Sequence, residues 1–198
     1  MKFPIANVLT VARIVMIPLV VLLFYMPYPW AKAAAASVFI LAAITDSLDG
    51  YLARRLGQIS ALGEFLDPVA DKLMVATALI LLVSHEPQQL RWVKFDPRLL
   101  ITLTAAVIIG REITISALRE WMAEVGARGK VAVSSIGKLK TIFQMTGLSM
   151  MLFHSDVWFI PAYELGLLCL VSAAALTLWS MVIYLQAAWP DLMQSRSR

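Results

Sequence analysis

Asp46, Asp49, Asp67 and Asp71 are four carboxylates crowded into one short stretch of a 198-residue chain that is 60% hydrophobic and only 15% charged. Asp46 and Asp49 are three residues apart and Asp67 and Asp71 four, so on helices each pair shares a face. Four such groups facing one another in a poorly polarisable setting repel strongly unless they are protonated or neutralised. Two hard divalent cations match the charge. An all-oxygen donor set with no nearby Cys or His favours Mg²⁺, with Mn²⁺ as substitute. Two metals among carboxylates suit in-line displacement at phosphorus, where attacking and leaving oxygens both need stabilisation.

The elements that must position these groups are membrane helices. A span needs roughly 20 apolar residues, and the chain holds six such stretches, at about 6–26, 33–56, 65–84, 99–123, 137–154 and 160–188. The expected fold is all-α, a polytopic membrane bundle of six transmembrane helices forming a single domain over residues 1–198. The apolar run Val8 to Met26 is followed by Pro27-Tyr28-Pro29-Trp30 rather than a small-residue cleavage site, and so reads as a span and not a leader. With both termini on one side, thirteen Lys and Arg fall on that side and four, Lys32, Arg91, Lys94 and Arg98, on the other. This bias predicts cytoplasmic termini. It also accounts for the net charge of +4 without nucleic acid, for which no soluble basic module exists.

The second span offers about a dozen apolar residues, Ala33 to Ile44, before Asp46; the third places Asp67 and Asp71 ahead of an unbroken run from Leu73 to Val83. Two helices running in opposite directions thereby bring carboxylates to one depth, below the cytoplasmic surface. Gly50 and Ala53 leave a groove beside Asp49, Gly63 precedes Asp67 by one turn, and Arg54 reaches either a phosphate or the interface. Asp67-Pro68 also reads as a helix N-cap followed by proline at the first helical position. That would explain one carboxylate without a metal, but not the other three.

The series Asp46-x-x-Asp49-Gly50-x-x-Ala53-Arg54, eight residues, Gly63-x-x-x-Asp67-x-x-x-Asp71 resembles the complete signature of the CDP-alcohol phosphotransferase family, with all eight positions matched. The resemblance extends to Asn7-x-Leu9-Thr10-x-x-Arg13, Arg111-Glu112, Arg119-Glu120-Trp121 and Ser134-x-x-Gly137-Lys138-x-Lys140. It implies transfer of the phosphatidyl group of CDP-diacylglycerol to an alcohol with release of CMP, in a bacterial cytoplasmic membrane, with the site facing the cytoplasm. By position it implies that Asp46, Asp49, Asp67 and Asp71 bind the metals and that Asp71 also deprotonates the attacking hydroxyl. Asp49, Gly50, Ala53, Arg54 and Gly63 would form the CDP site. The resemblance also implies a homodimer.

The acceptor is legible from the residues themselves. Arg111, Arg119, Lys138 and Lys140 are basic groups in or beside spans, as an alcohol carrying its own phosphate requires. Glycerol 3-phosphate fits, and the full-length pattern points to it; inositol phosphate would satisfy the same charges. Arg111 has a structural alternative, pairing with Glu112 or Glu120. Asn7, Thr10 and Arg13 share a helical face and line the same cavity in this reading. His85 and His154, near the outer ends of spans, are expected to face water or headgroups. A cation transporter would also place carboxylates in a membrane, but it calls for charged or broken helices linking both faces, and the outer halves here are almost purely apolar.

Overall fold

The computed structural model describes residues 5–56, 61–91, 96–126, 135–156 and 159–194, with side chains excepted at 5–7, 47–56, 61, 62, 64, 135, 136, 138, 191, 192 and 194. Apolar runs of 20 or more residues must satisfy their own backbone polar groups in hydrocarbon, and helices do so within one segment. Six form: α1 (Ile5–Tyr25), α2 (Ala31–Leu56), α3 (Ala61–Ser84), α4 (Arg98–Glu124), α5 (Ser135–Phe153) and α6 (Ala162–Gln194). The described residues contain no β-strand. Val8–Tyr25, Arg98–Glu124 and Ala162–Pro190 are long and apolar enough to cross a membrane.

Two boundaries differ from the sequence expectation. Helix α3 begins at Ala61 and carries Pro68 inside it, so Asp67 is not an N-cap. Pro68 removes one backbone hydrogen bond there, and the helix continues regardless. Helix α6 runs through Pro190 to Gln194, further than expected.

Large apolar side chains face outward from the bundle, and several charged and polar ones lie within it beside an apolar core. Val15, Leu22, Ile80, Ile113, Ile142 and Trp179 are exposed, whereas Arg13, Arg111, Lys140, Gln144 and Glu164 are buried. This is the distribution of a protein whose surroundings are hydrocarbon. A core including Phe24, Phe39, Leu79, Ile108, Leu152 and Leu170 joins all six helices. α1 packs on α2 and α3, α2 on α5, and α4 on α6, while α5 and α6 share the most extensive contact. At the α5–α6 crossing Gly147 and Gly166 let the backbones meet. A Cβ on Gly147 would lie 2.8 Å from the Gly166 carbonyl oxygen and 2.9 Å from the Leu170 nitrogen, so no other residue fits without parting the helices.

Successive helices reverse direction, giving the molecule two poles. The carboxylates lie at the pole holding the starts of α1, α3 and α5 and the ends of α2, α4 and α6. The other pole is closed by polar ties between helix ends. Tyr25 and Ser84 share a hydrogen bond of 2.8 Å, and Lys32 Nζ meets His85 Nε2 at 2.6 Å. Gln88 donates to the His154 carbonyl, and the Arg91 backbone N–H donates to Glu164. The two histidines therefore do not simply face water. The His85 ring packs edge-on against Phe24 and His154, and His154 against Tyr163.

Burial, with Lys32 and His85 adding positive charge nearby, pushes His154 down to about 4. His85 moves in the same direction, through burial and Lys32 against an opposing pull from Glu86. In the unfolded chain a histidine takes its proton near 6.5. The folded protein therefore binds fewer protons between that pH and about 4, and stability falls as pH drops through the interval. Thermal unfolding of detergent-solubilised protein should show its midpoint declining from pH 7 to pH 4. His154→Asn, which tolerates the left-handed backbone at this position (φ 51°), should flatten the decline; an unchanged slope would assign it to other groups.

Candidate active site

Arg13 organises the acidic side. It projects from α1 with its side chain fully buried, and its Nη1 lies 2.7 Å from Asp46 Oδ1 on α2 and 3.0 Å from Asp71 Oδ1 on α3. Two carboxylates from different helices thus converge on one nitrogen. Their separation cannot exceed the sum of those contacts. One turn earlier, buried Thr10 donates its hydroxyl to Asp67 Oδ1 at 2.6 Å. The three-residue spacing of Thr10 and Arg13 gives α1 a polar edge that meets the carboxylate-bearing face of α3, and its partners are the residues the sequence singled out. Asp46 and Asp71 are 38% and 48% exposed, open on the side away from Arg13.

They open into a cavity of about 720 Å³. Its opposite wall is basic: Arg111 and Arg119 from α4 and Lys140 from α5 line it, together with Glu112. Glu112 accepts from Arg111 Nη1 at 2.9 Å and from Lys140 Nζ at 2.5 Å. The sequence alternative for Arg111, a pair with Glu112, is therefore present, yet both residues also face the cavity. Arg111 Nη2 donates to Ser180 of α6 at 3.2 Å. Arg119 is exposed to the cavity and has no carboxylate partner among the described residues. Glu120 and Glu124 are exposed on α4.

Tyr184 of α6 was not singled out from the sequence. Its buried ring lies under both guanidiniums, 6.0 Å from Arg111 Cζ and 5.7 Å from Arg119 Cζ, within cation–π range. A tyrosine in an apolar helix reads as packing or an interfacial anchor, so nothing in the sequence marks it. Gln144 and Ser180 were missed for the same reason.

Of the remaining sequence candidates, Gly63 is buried in the first turn of α3. Asp49, Gly50, Ala53 and Arg54 fall on α2 and Lys138 on α5, but their side chains, like that of Asn7, lie outside the described residues. Among the described residues no three Asp, Glu, His or Cys side chains gather at metal-ligand spacing. Still, the donor set suits a hard cation. Asp46 and Asp71 already converge on a positive atom, Asp67 is beside them one turn before Asp71, and all are oxygen donors.

The chain matches the family described as CDP-alcohol phosphatidyltransferase over residues 3–186. It is similar to the CDP-diacylglycerol–glycerol-3-phosphate 3-phosphatidyltransferases of Shigella flexneri serotype 5b and Escherichia coli K12. Each is 49% identical over 193 residues, which is 98% of this chain and 99% of the relative.

Glu112 holds two nearly buried cations, so its removal should be felt in stability. Glu112→Gln should lower unfolding free energy by about 2–3 kcal/mol, between the limits for exposed and buried pairs. Adding Lys140→Met should restore part of that loss, because one stranded charge is then gone. A double variant no more stable than Glu112→Gln would show that the pair is not coupled.

Proposed function

Because the chain belongs to the CDP-alcohol phosphatidyltransferase family, we propose that it transfers the phosphatidyl group of CDP-diacylglycerol to glycerol 3-phosphate, yielding phosphatidylglycerophosphate and CMP. The near full-length identity to enzymes of that name supports the activity. The observation that carries the reading at the level of the site is the single cavity with Asp46 and Asp71 on one wall and Arg111, Arg119 and Lys140 on the other. One wall suits cations that grip a diphosphate; the other suits the acceptor's phosphate.

Asp46, Asp49, Asp67 and Asp71 would hold divalent cations, Mg²⁺ or Mn²⁺ and two in number, which when bound supply positive charge to the diphosphate and the departing CMP. Thr10 and Arg13 orient Asp67, Asp46 and Asp71 from behind. Asp71 accepts the proton of the attacking hydroxyl. As it does so, the hydroxyl oxygen bonds to the lipid-bearing phosphorus, the bond from that phosphorus to the bridging oxygen breaks, and CMP leaves with the bridging oxygen. Gly50, Ala53, Arg54 and Gly63 shape the cytidine diphosphate side with Asp49. Arg111, Arg119, Lys138 and Lys140 bind the acceptor phosphate, forked guanidiniums being suited to its geometry.

The protein is a membrane protein in this reading, with all six helices spanning, both termini and the cavity mouth facing the cytoplasm, and the inner membrane of a bacterium as its place. The positive-inside bias supports that orientation. The lipid's acyl chains need not leave the bilayer. The resemblance also supports a homodimer.

In detergent, the purified protein should release CMP only when CDP-diacylglycerol, glycerol 3-phosphate and a divalent cation are all present, and EDTA should stop it. Asp67→Asn leaves the Arg13 pairs in place and should still lower kcat at least about a hundredfold. Arg119→Gln, which strands no carboxylate, should raise KM for glycerol 3-phosphate about tenfold and leave KM for the lipid substrate unchanged. Turnover with inositol phosphate but not with glycerol 3-phosphate would move the acceptor assignment, and full activity in EDTA would remove the metals.

A further inference from the structure

Gln144 is 4% exposed on α5, and its Oε1 is fully buried with no hydrogen-bond partner. Its side chain nonetheless forms part of the cavity wall. Helix α5 presents Gly137, Lys140, Thr141 and Gln144 to the cavity as one stripe. Gln144 follows Lys140 by one turn, about 6 Å further from the open pole. That offset is comparable to the reach between the phosphate and the hydroxyls of a three-carbon polyol phosphate.

A buried carboxamide oxygen without a partner is unfavourable and rare. We infer that Gln144 recognises the non-reacting hydroxyl of the acceptor and so is a specificity-determining residue for the polyol. The inference rests on the reading in which the basic wall takes the acceptor phosphate.

The chemistry of the amide selects the ligand group. In either orientation of the amide, the side chain has N–H groups to donate and an oxygen to accept. A hydroxyl meets both needs. An ester carbonyl of the lipid substrate only accepts and would leave the amide oxygen unsatisfied. Glycerol 3-phosphate carries two free hydroxyls, of which one attacks and one does not. A ligand that hydrogen-bonds Gln144 through the second is held with the first toward the carboxylate wall.

The test compares glycerol 3-phosphate with 3-hydroxypropyl phosphate, which keeps the terminal hydroxyl and lacks the one at C2. The wild type should prefer glycerol 3-phosphate by at least about tenfold in kcat/KM. Gln144→Met, of similar length and apolar, should reduce that preference to within about twofold and leave KM for CDP-diacylglycerol unchanged. Its unfolding midpoint should not fall, because an unsatisfied buried amide has been removed.

Equal use of both acceptors by the wild type overturns the inference without reference to any variant. So does a preference that survives in Gln144→Met. A variant that unfolds early or fails to fold shows that the amide is paired within the protein, and also overturns it. Absence of any transfer to glycerol 3-phosphate by the wild type would bring down the parent reading as well, whereas the other failures leave that reading standing.

Discussion

A buried guanidinium bridging two helices holds the acidic half of this site together. Arg13 lies in a bundle whose outside is hydrocarbon-compatible, so it has no water to fall back on. Its charge is balanced by Asp46 and Asp71 on neighbouring helices. The same contact ties α1 to α2 and α3 and sets how far apart the two carboxylates stand. Thr10 adds a hydrogen bond from its uncharged hydroxyl to Asp67. Because Asp46 and Asp71 are restrained from behind, their exposed sides face the cavity they line. In the proposed reading a site that receives cations needs that restraint, since loose carboxylates this close would separate under their own repulsion.

Across the cavity the charge balance is reversed. Among the described side chains, Arg111, Arg119 and Lys140 outnumber Glu112 three to one, and Lys138 would add a further positive charge in the proposed reading. The proposed acceptor carries a phosphate monoester dianion. The reaction must bring that dianion beside a lipid diphosphate, and each pair of unit charges about 8 Å apart repels by roughly 2 kcal/mol at an effective dielectric constant of 20. In the proposed reading, cations held by the acidic wall and the net positive charge of the facing wall would relieve this repulsion for both reactants. Glu112 has a place in the design: without it two nearly buried cations would face each other, and with it they stand side by side in the wall.

The helices were legible because hydropathy and length leave few alternatives for a chain of this composition. The acids were legible because charge in an apolar helix needs a reason. Asp67-Pro68 misled, since the dipeptide has the local chemistry of a helix start, but in the bundle α3 begins about two turns earlier and absorbs the proline. The histidines misled in a related way. Position near a span end suggests solvent, while packing among Phe24, Lys32 and Tyr163 comes only from the association of helix ends distant in sequence. Tyr184 and Gln144 carry no local signal at all. A tyrosine or glutamine in a membrane helix acquires its meaning from the neighbouring helix it faces, and that is a property of the assembled bundle.

Tyr184 shows how such a residue shapes the chemistry. Arg111 and Arg119 are eight residues apart on α4, about 12 Å along the axis, and a single phosphate cannot be gripped by two groups held that far apart. Both guanidiniums instead lean over one ring supplied by α6. The negative face of the ring offsets part of their mutual repulsion, while Glu112 and Ser180 fix Arg111. Arg119, with no carboxylate among the described residues, keeps its hydrogen-bond donors for a ligand. In the proposed reading the two arginines differ in role: Arg111, held by Glu112 and Ser180, would set the position of the phosphate and Arg119 would close on it, with the shared aromatic ring keeping the second arginine near the first.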